Sequence, residues 1–176
     1  MNFGLKGGFN LANLHGEDVD TEGPRLGLKF GGFMEYKVSE NFSIQPELYY
    51  SQQGTKVEEN NIDGTYKLDY LNLPVLGKIY VNKQFSINVG LQLGILLLGE
   101  LEIESGDDSA TKDIKDNLNK ADFGFCFGGE FYVSDKISFN ARLNSEIVGI
   151  FKDVDSEDEK YNPKNIHFNV GMNFRF

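Results

Sequence analysis

Ile166-His167-Phe168-Asn169-Val170-Gly171-Met172-Asn173-Phe174-Arg175-Phe176 ends the chain in an unbroken two-residue alternation. Ile166, Phe168, Val170, Met172, Phe174 and Phe176 form one side, and His167, Asn169, Gly171, Asn173 and Arg175 the other. Successive side chains of a strand point to opposite faces, whereas an amphipathic helix repeats every 3.6 residues, so this segment reads as β. Phe85 to Leu98 follows the same rule. Phe85, Ile87, Val89, Leu91, Leu93, Ile95 and Leu97 are apolar against Ser86, Asn88, Gly90, Gln92 and Gly94, until Leu96 breaks the polar side.

Six further segments carry the pattern. Phe3, Leu5, Phe9 and Leu11 oppose Lys6 and Asn10. Leu26, Leu28, Phe30, Met34, Tyr36 and Val38 oppose Gly27, Lys29, Glu35 and Lys37. Phe42, Ile44, Pro46, Leu48 and Tyr50 oppose Gln45, Glu47 and Ser51. Phe123, Phe125, Phe127, Phe131 and Val133 oppose Gly124, Cys126, Gly128 and Glu130. Ile137, Phe139, Ala141 and Leu143 oppose Asn140, Arg142 and Asn144. Tyr66 to Val81 is less regular: Leu71, Leu73, Val75, Ile79 and Val81 share a phase that Pro74 and Leu76 interrupt, and a bulge is expected there because Pro cannot donate to a ladder. Residues 39–41, 82–84 and 134–136 are tight turns, while 15–23, 54–64, 99–121 and 151–164 are long connections. Eight strands with short turns at one end and long loops at the other describe an up-and-down antiparallel meander, one domain over 1–176.

The composition bounds the function. The 176 residues carry a formal net charge of −10, with 15 Phe, 20 Gly, one Cys and no Trp. One Cys excludes an internal disulfide framework, and the acidity has the wrong sign for nucleic acid. No run approaches the roughly 18 apolar residues of a membrane helix. The four long connections together hold −12, which leaves +2 for everything else. The acidity therefore belongs to solvated loops, and the strands are near neutral.

Alternation alone leaves open whether the apolar face is inside, as in a soluble ligand-binding barrel, or outside, as in a membrane barrel. Four features favour the membrane. The strands run about 10–14 residues, near the 9–11 that cross a bilayer at a tilt. The polar face sets Lys6, Lys29, Glu35, Glu47, Glu130, Arg142, Glu146 and Arg175 among Gly and Asn, as suits a narrow lumen with internally paired charges. Tyr36, Phe42, Tyr80, Phe85, Tyr132, Phe174 and Phe176 gather beside the tight turns, with Tyr49, Tyr50, Tyr66 and Tyr70 toward the other end, as two interfacial belts would. Finally, the chain stops on Phe176, in phase with the apolar face. The expected fold is an all-β, eight-stranded, antiparallel up-and-down transmembrane barrel.

Gly4-Leu5-Lys6-Gly7-Gly8-Phe9-Asn10-Leu11-Ala12-Asn13, the central Leu68-Asp69-Tyr70-Leu71-Asn72-Leu73-Pro74-Val75-Leu76 and the terminal Phe176 resemble the "porin family" or PorT-like outer-membrane β-barrels. The wider pattern is similar to the small OmpA- and OmpX-type barrels. That resemblance implies a place in the outer membrane of a Gram-negative bacterium. It also implies recognition of Phe176 by the outer-membrane assembly machinery and a secretory signal. Residues 1–16 hold no apolar signal core. The expectation is that the signal has been removed and Met1 stands in its place; a precursor that begins directly on this strand would count against outer-membrane delivery.

No residue pattern points to catalysis, a cofactor or a metal. His15 and His167 are the only histidines and lack ligand spacing. Asp153-Val154-Asp155-Ser156-Glu157-Asp158-Glu159 has the acids of a calcium loop without its sixth-position Gly or twelfth-position Glu. Cys126 lies between glycines and reads as a lumen filler. Ile95 to Leu98, apolar on both sides, is expected to pack under the longest loop at the barrel mouth. The expected role is a monomeric, non-enzymatic barrel with both termini on the periplasmic side. It would be structural, or meet an extracellular partner through its acidic loops. The alternatives are a soluble lipocalin-like barrel with an apolar ligand, weakened by the missing Trp, and a small channel.

Overall fold

The computed structural model describes residues 1–15, 23–59, 62–105, 108–152 and 162–176. Its strands are β1 (Asn2–His15), β2 (Gly23–Lys37), β3 (Phe42–Glu59), β4 (Ile62–Tyr80), β5 (Phe85–Ser105), β6 (Asp108–Asp113), β7 (Ala121–Tyr132), β8 (Ile137–Gly149) and β9 (Lys164–Arg175). Each barrel strand pairs antiparallel with its neighbours, and β1 pairs with β9 (Leu5 opposite Phe174, Phe9 opposite Val170), so eight strands close on themselves. β6 lies outside the wall and pairs with β5. Closure leaves the barrel wall without an edge.

The apolar phase points outward. Phe30 (62% exposed), Phe125, Phe127, Val133, Leu48 and Val75 all face away from the barrel, while Lys6, Asn10, Lys29, Glu47, Gln92 and Arg142 are buried within it. A soluble barrel built around an apolar cavity would have the reverse arrangement. The three tight turns stand where the sequence puts them, between β2 and β3, β4 and β5, and β7 and β8.

Two of the long connections are largely strand. β3 runs to Glu59 and β4 begins at Ile62, and β5 continues to Ser105 with β6 folded back on it. Their charges alternate with apolar residues, as Glu100 and Glu102 do with Leu101 and Ile103, and Lys67 ion-pairs across the strands with Glu102 at 2.7 Å. The acidity there marks water and not irregular backbone. The result is a four-stranded sheet, β3-β4-β5-β6, rising beyond the barrel. The Asp153–Glu159 stretch lies outside the described residues.

The bulge expected at Pro74 is elsewhere. Pro74 sits opposite Gln92 in an unbroken β4–β5 ladder, and the β3–β4 register is the same on either side of Pro46 and Pro74. The two prolines, which both lack an N–H, interrupt the ladder at one shared place, so no residue need be inserted. The register shift falls instead between Asp69 and Tyr70, opposite Leu98 and Leu96, with Leu97 as the extra residue.

The outward face makes a direct prediction. Phe127 lies midway along β7 and is 63% exposed. Phe127→Lys is expected to lower the unfolding free energy in bilayer vesicles by about 2–4 kcal/mol, measured by urea titration.

Candidate functional site

The interior is a stack of polar layers beneath an apolar cap. At the tight-turn end, Lys78 bridges Glu35 (3.1 Å) and Glu130 (2.9 Å). Glu35 also accepts from Tyr80 Oη at 2.7 Å and from Arg175 Nη2 at 2.8 Å. Asn173 Nδ2 donates to Glu130 at 2.9 Å. Above this layer, Arg142 forks onto both oxygens of Glu47 at 2.9 Å each, and Lys6 ion-pairs with the same carboxylate. Gln45 joins the two layers: its Nε2 donates to Glu47 at 2.8 Å and its Oε1 accepts from Lys78 at 2.9 Å. In these two layers each charge thus has an opposite charge in hydrogen-bond reach, as burial demands.

Higher still the layer is mostly neutral. Tyr49 Oη donates to Gln92 Oε1 at 2.6 Å, Gln92 Nε2 donates to Glu146 at 2.8 Å, and Asn144 Nδ2 donates to His167 Nε2 at 2.7 Å. Lys29 donates to Asn169. Cys126 is buried with its thiol 3.8 Å from Gln92 Oε1. Asp122 and Asn165 follow, and then the cap.

The cap is built by Leu14, Leu68, Tyr70, Leu96, Ile114, Leu118 and Ile150, with Tyr66, Leu101 and Phe151 packed around them. The segment after β6 makes a single 3-10 turn, Lys115–Asn117, which drops Ile114 and Leu118 onto the mouth. Backbone bonds hold it there: Ile114 donates to Gly99 at 2.9 Å and Asn119 donates to Ile150 at 2.8 Å. Gly99 permits the approach, since a Cβ there would stand 2.7 Å from Leu118 Cδ1. The expected packing beneath the longest loop is present at Leu96, which is 3% exposed; Leu98 is half-buried.

Lys6, Lys29, Glu35, Glu47, Glu130, Arg142 and Glu146 all lie in the lumen, and Arg175 lies at its tight-turn mouth. Tyr36, Phe42, Phe85, Phe174 and Phe176 take the outward phase. Tyr80 and Tyr132, expected in the belt, turn inward instead. Their rings lie 5.9 Å apart with Lys78 over both, because Ile79 and Phe131 occupy the outward positions. Tyr49 and Tyr70 are likewise interior, and Tyr50 stays outside against Phe30. Sequence reading missed Lys78 and Asp122. Counting back from Ile79 puts Lys78 inward, but the Pro74–Leu76 irregularity hides that phase. His167 lies in the lumen and His15 is exposed at the loop end of β1. Among the described residues, no three His, Cys, Asp or Glu side chains converge as a metal-ligand set.

An outward apolar belt, a charge-paired bore and a closed eight-stranded wall are the features of a barrel solvated by lipid. The sequence model of the "Outer membrane protein beta-barrel domain" family matches residues 1–152. The chain belongs to the outer membrane β-barrel family. The barrel is therefore embedded in a bilayer, with its outward phenylalanines in hydrocarbon. Solved structures share this fold. Ail, the attachment invasion locus protein of Yersinia pestis, is 14% identical, with 99% of this chain and 98% of Ail covered and a TM-score of 0.60. Neisserial surface protein A is 12% identical, with 99% and 97% covered and a TM-score of 0.62. Ail has also been solved in complex with the heparin analogue sucrose octasulfate, a structure 15% identical with 99% of this chain and 98% of that one covered and a TM-score of 0.60. No curated protein sequence matches the chain.

The layers predict distinct losses. Glu47→Ala strands Lys6 and Arg142 without their carboxylate, and is expected to destabilise the barrel by about 3–5 kcal/mol. Leu118→Ala empties part of the cap and is expected to cost about 2–5 kcal/mol. Denaturant titration of the refolded protein checks both.

Proposed function

We infer that this outer-membrane barrel works at the cell surface as an interaction protein, and not as a diffusion channel or an enzyme. The observation that carries this reading is the obstruction of the bore: Glu47 bound to both Lys6 and Arg142 across the lumen, below a cap of Leu96, Ile114 and Leu118. An eight-stranded barrel has room for little beyond its own side chains. What remains for a partner is the loop end, with the sheet β3-β4-β5-β6 and the acidic connections.

The charge of that end gives the partner its chemistry. The four long connections hold −12 in the sequence, with Glu100, Glu102, Asp113 and Asp116 on or beside the raised sheet. Ail has been solved in complex with the heparin analogue sucrose octasulfate; a polyanion of that kind would meet repulsion here, so the expected partner is cationic, such as a basic protein surface or peptide. Delivery by the outer-membrane assembly machinery through the outward Phe176, removal of a signal segment and a monomeric state belong to the same reading.

In nanodiscs the barrel is expected to bind an oligolysine peptide, with affinity falling as salt rises, and to ignore sucrose octasulfate. In planar bilayers its conductance is expected to stay at background. Discrete channels well above background, or binding of the polyanion alone, would overturn the reading.

A further inference from the structure

The lumen charges do not balance layer by layer. At the tight-turn end Lys78 and Arg175 meet Glu35 and Glu130, in the middle Lys6 and Arg142 meet Glu47, and Lys29, 2% exposed, meets only the amide of Asn169. Directly beneath the cap stand Asp122 and Glu146, 6% and 4% exposed. Among the described residues neither carboxylate has a Lys or Arg within 4.0 Å. Glu146 Oε2 and Asp122 Oδ1 are buried without hydrogen-bond partners.

Independent groups point into the same space. His167 is 1% exposed, and accepting from Asn144 at Nε2 leaves its ring hydrogen on Nδ1. That Nδ1 has no partner and lies 3.8 Å from Glu146 Oε1, too far for a direct hydrogen bond. Asn165 Nδ2 reaches Asp122 at 3.5 Å and Tyr70 Oη at 3.2 Å, fixing the other flank. Gly124 and Gly94 let the two carboxylates pack this closely: a Cβ at Gly124 would overlap Glu146 Oε2, and one at Gly94 would stand 3.3 Å from the Asp122 Cβ.

The geometry points to a hydrated divalent cation of the Mg2+ or Ca2+ class bound between Asp122 and Glu146. Two carboxylates fall short of a three-ligand protein set, but a hard oxygen-seeking ion needs fewer protein ligands when it keeps its own waters. His167 Nδ1–H would hold such a water. The cap of Leu96, Ile114 and Leu118 closes the site from the loop end, so the ion enters during folding and leaves slowly.

The test refolds the protein in Mg2+, in Ca2+ or in Na+ alone, removes loop-bound ions with a brief EDTA wash and measures metal by elemental analysis. The expected result is about one divalent ion per chain after refolding with it. D122N/E146Q should retain none, and a variant with Glu100, Glu102, Asp113 and Asp116 neutralised should retain it. Wild-type protein free of metal after refolding in both ions would overturn the proposal, as would equal retention by D122N/E146Q. Because the wild-type measurement decides alone, a double variant that fails to fold leaves the test intact; D122N then serves as the single variant, expected to lose the ion.

Discussion

Hydrocarbon offers no partner for a peptide N–H or C=O, and that constraint organises the whole molecule. A sheet in lipid must close, and here closure is the pairing of β1 with β9, the first strand with the last. Once it closes, each strand has one face toward lipid and one toward a bore about as wide as its own side chains. The alternation of Phe and Val with Asn, Gly and Lys is the covalent record of those two solvents.

The second solvent, the bore, is harder to satisfy than the first. Charges there have little water to turn to, so Glu47 takes two cations and Lys78 takes two carboxylates, each from strands distant in sequence. Arg142 reaches Glu47 across 95 residues of chain. The amide layer of Gln92, Asn144 and Asn169 separates these compensated charges from the Asp122–Glu146 pair. The cap separates that pair from the raised sheet and the water around it.

Much of this was legible before any coordinates. Phe168, Val170 and Met172 announced a lipid face, and Lys6, Glu47 and Arg142 announced a polar one. The apolar pair of faces at Leu96–Leu97 announced the packed mouth. Other features misled for identifiable reasons. Glu100 and Glu102 read as loop because charge marks contact with water, although a strand in water carries charge as readily. Tyr80 and Tyr132 read as belt residues because aromatics near strand ends usually are, although their phase was that of Lys78 and Glu130. Pro74 reads as a bulge from its own strand alone; Pro46 comes beside it only when β3 and β4 pair.

By itself the sequence determined the eight strands of the barrel wall, their faces and the two environments they meet, because a period of two is a local property of each segment; β6, outside the wall, it did not. Only the tertiary structure decided the register, the partners of each lumen charge, the inward turn of Tyr80 and Tyr132 and the isolation of Asp122 with Glu146. Those depend on which strands stand opposite one another around a closed wall, and a one-residue slip in any pairing would exchange every neighbour.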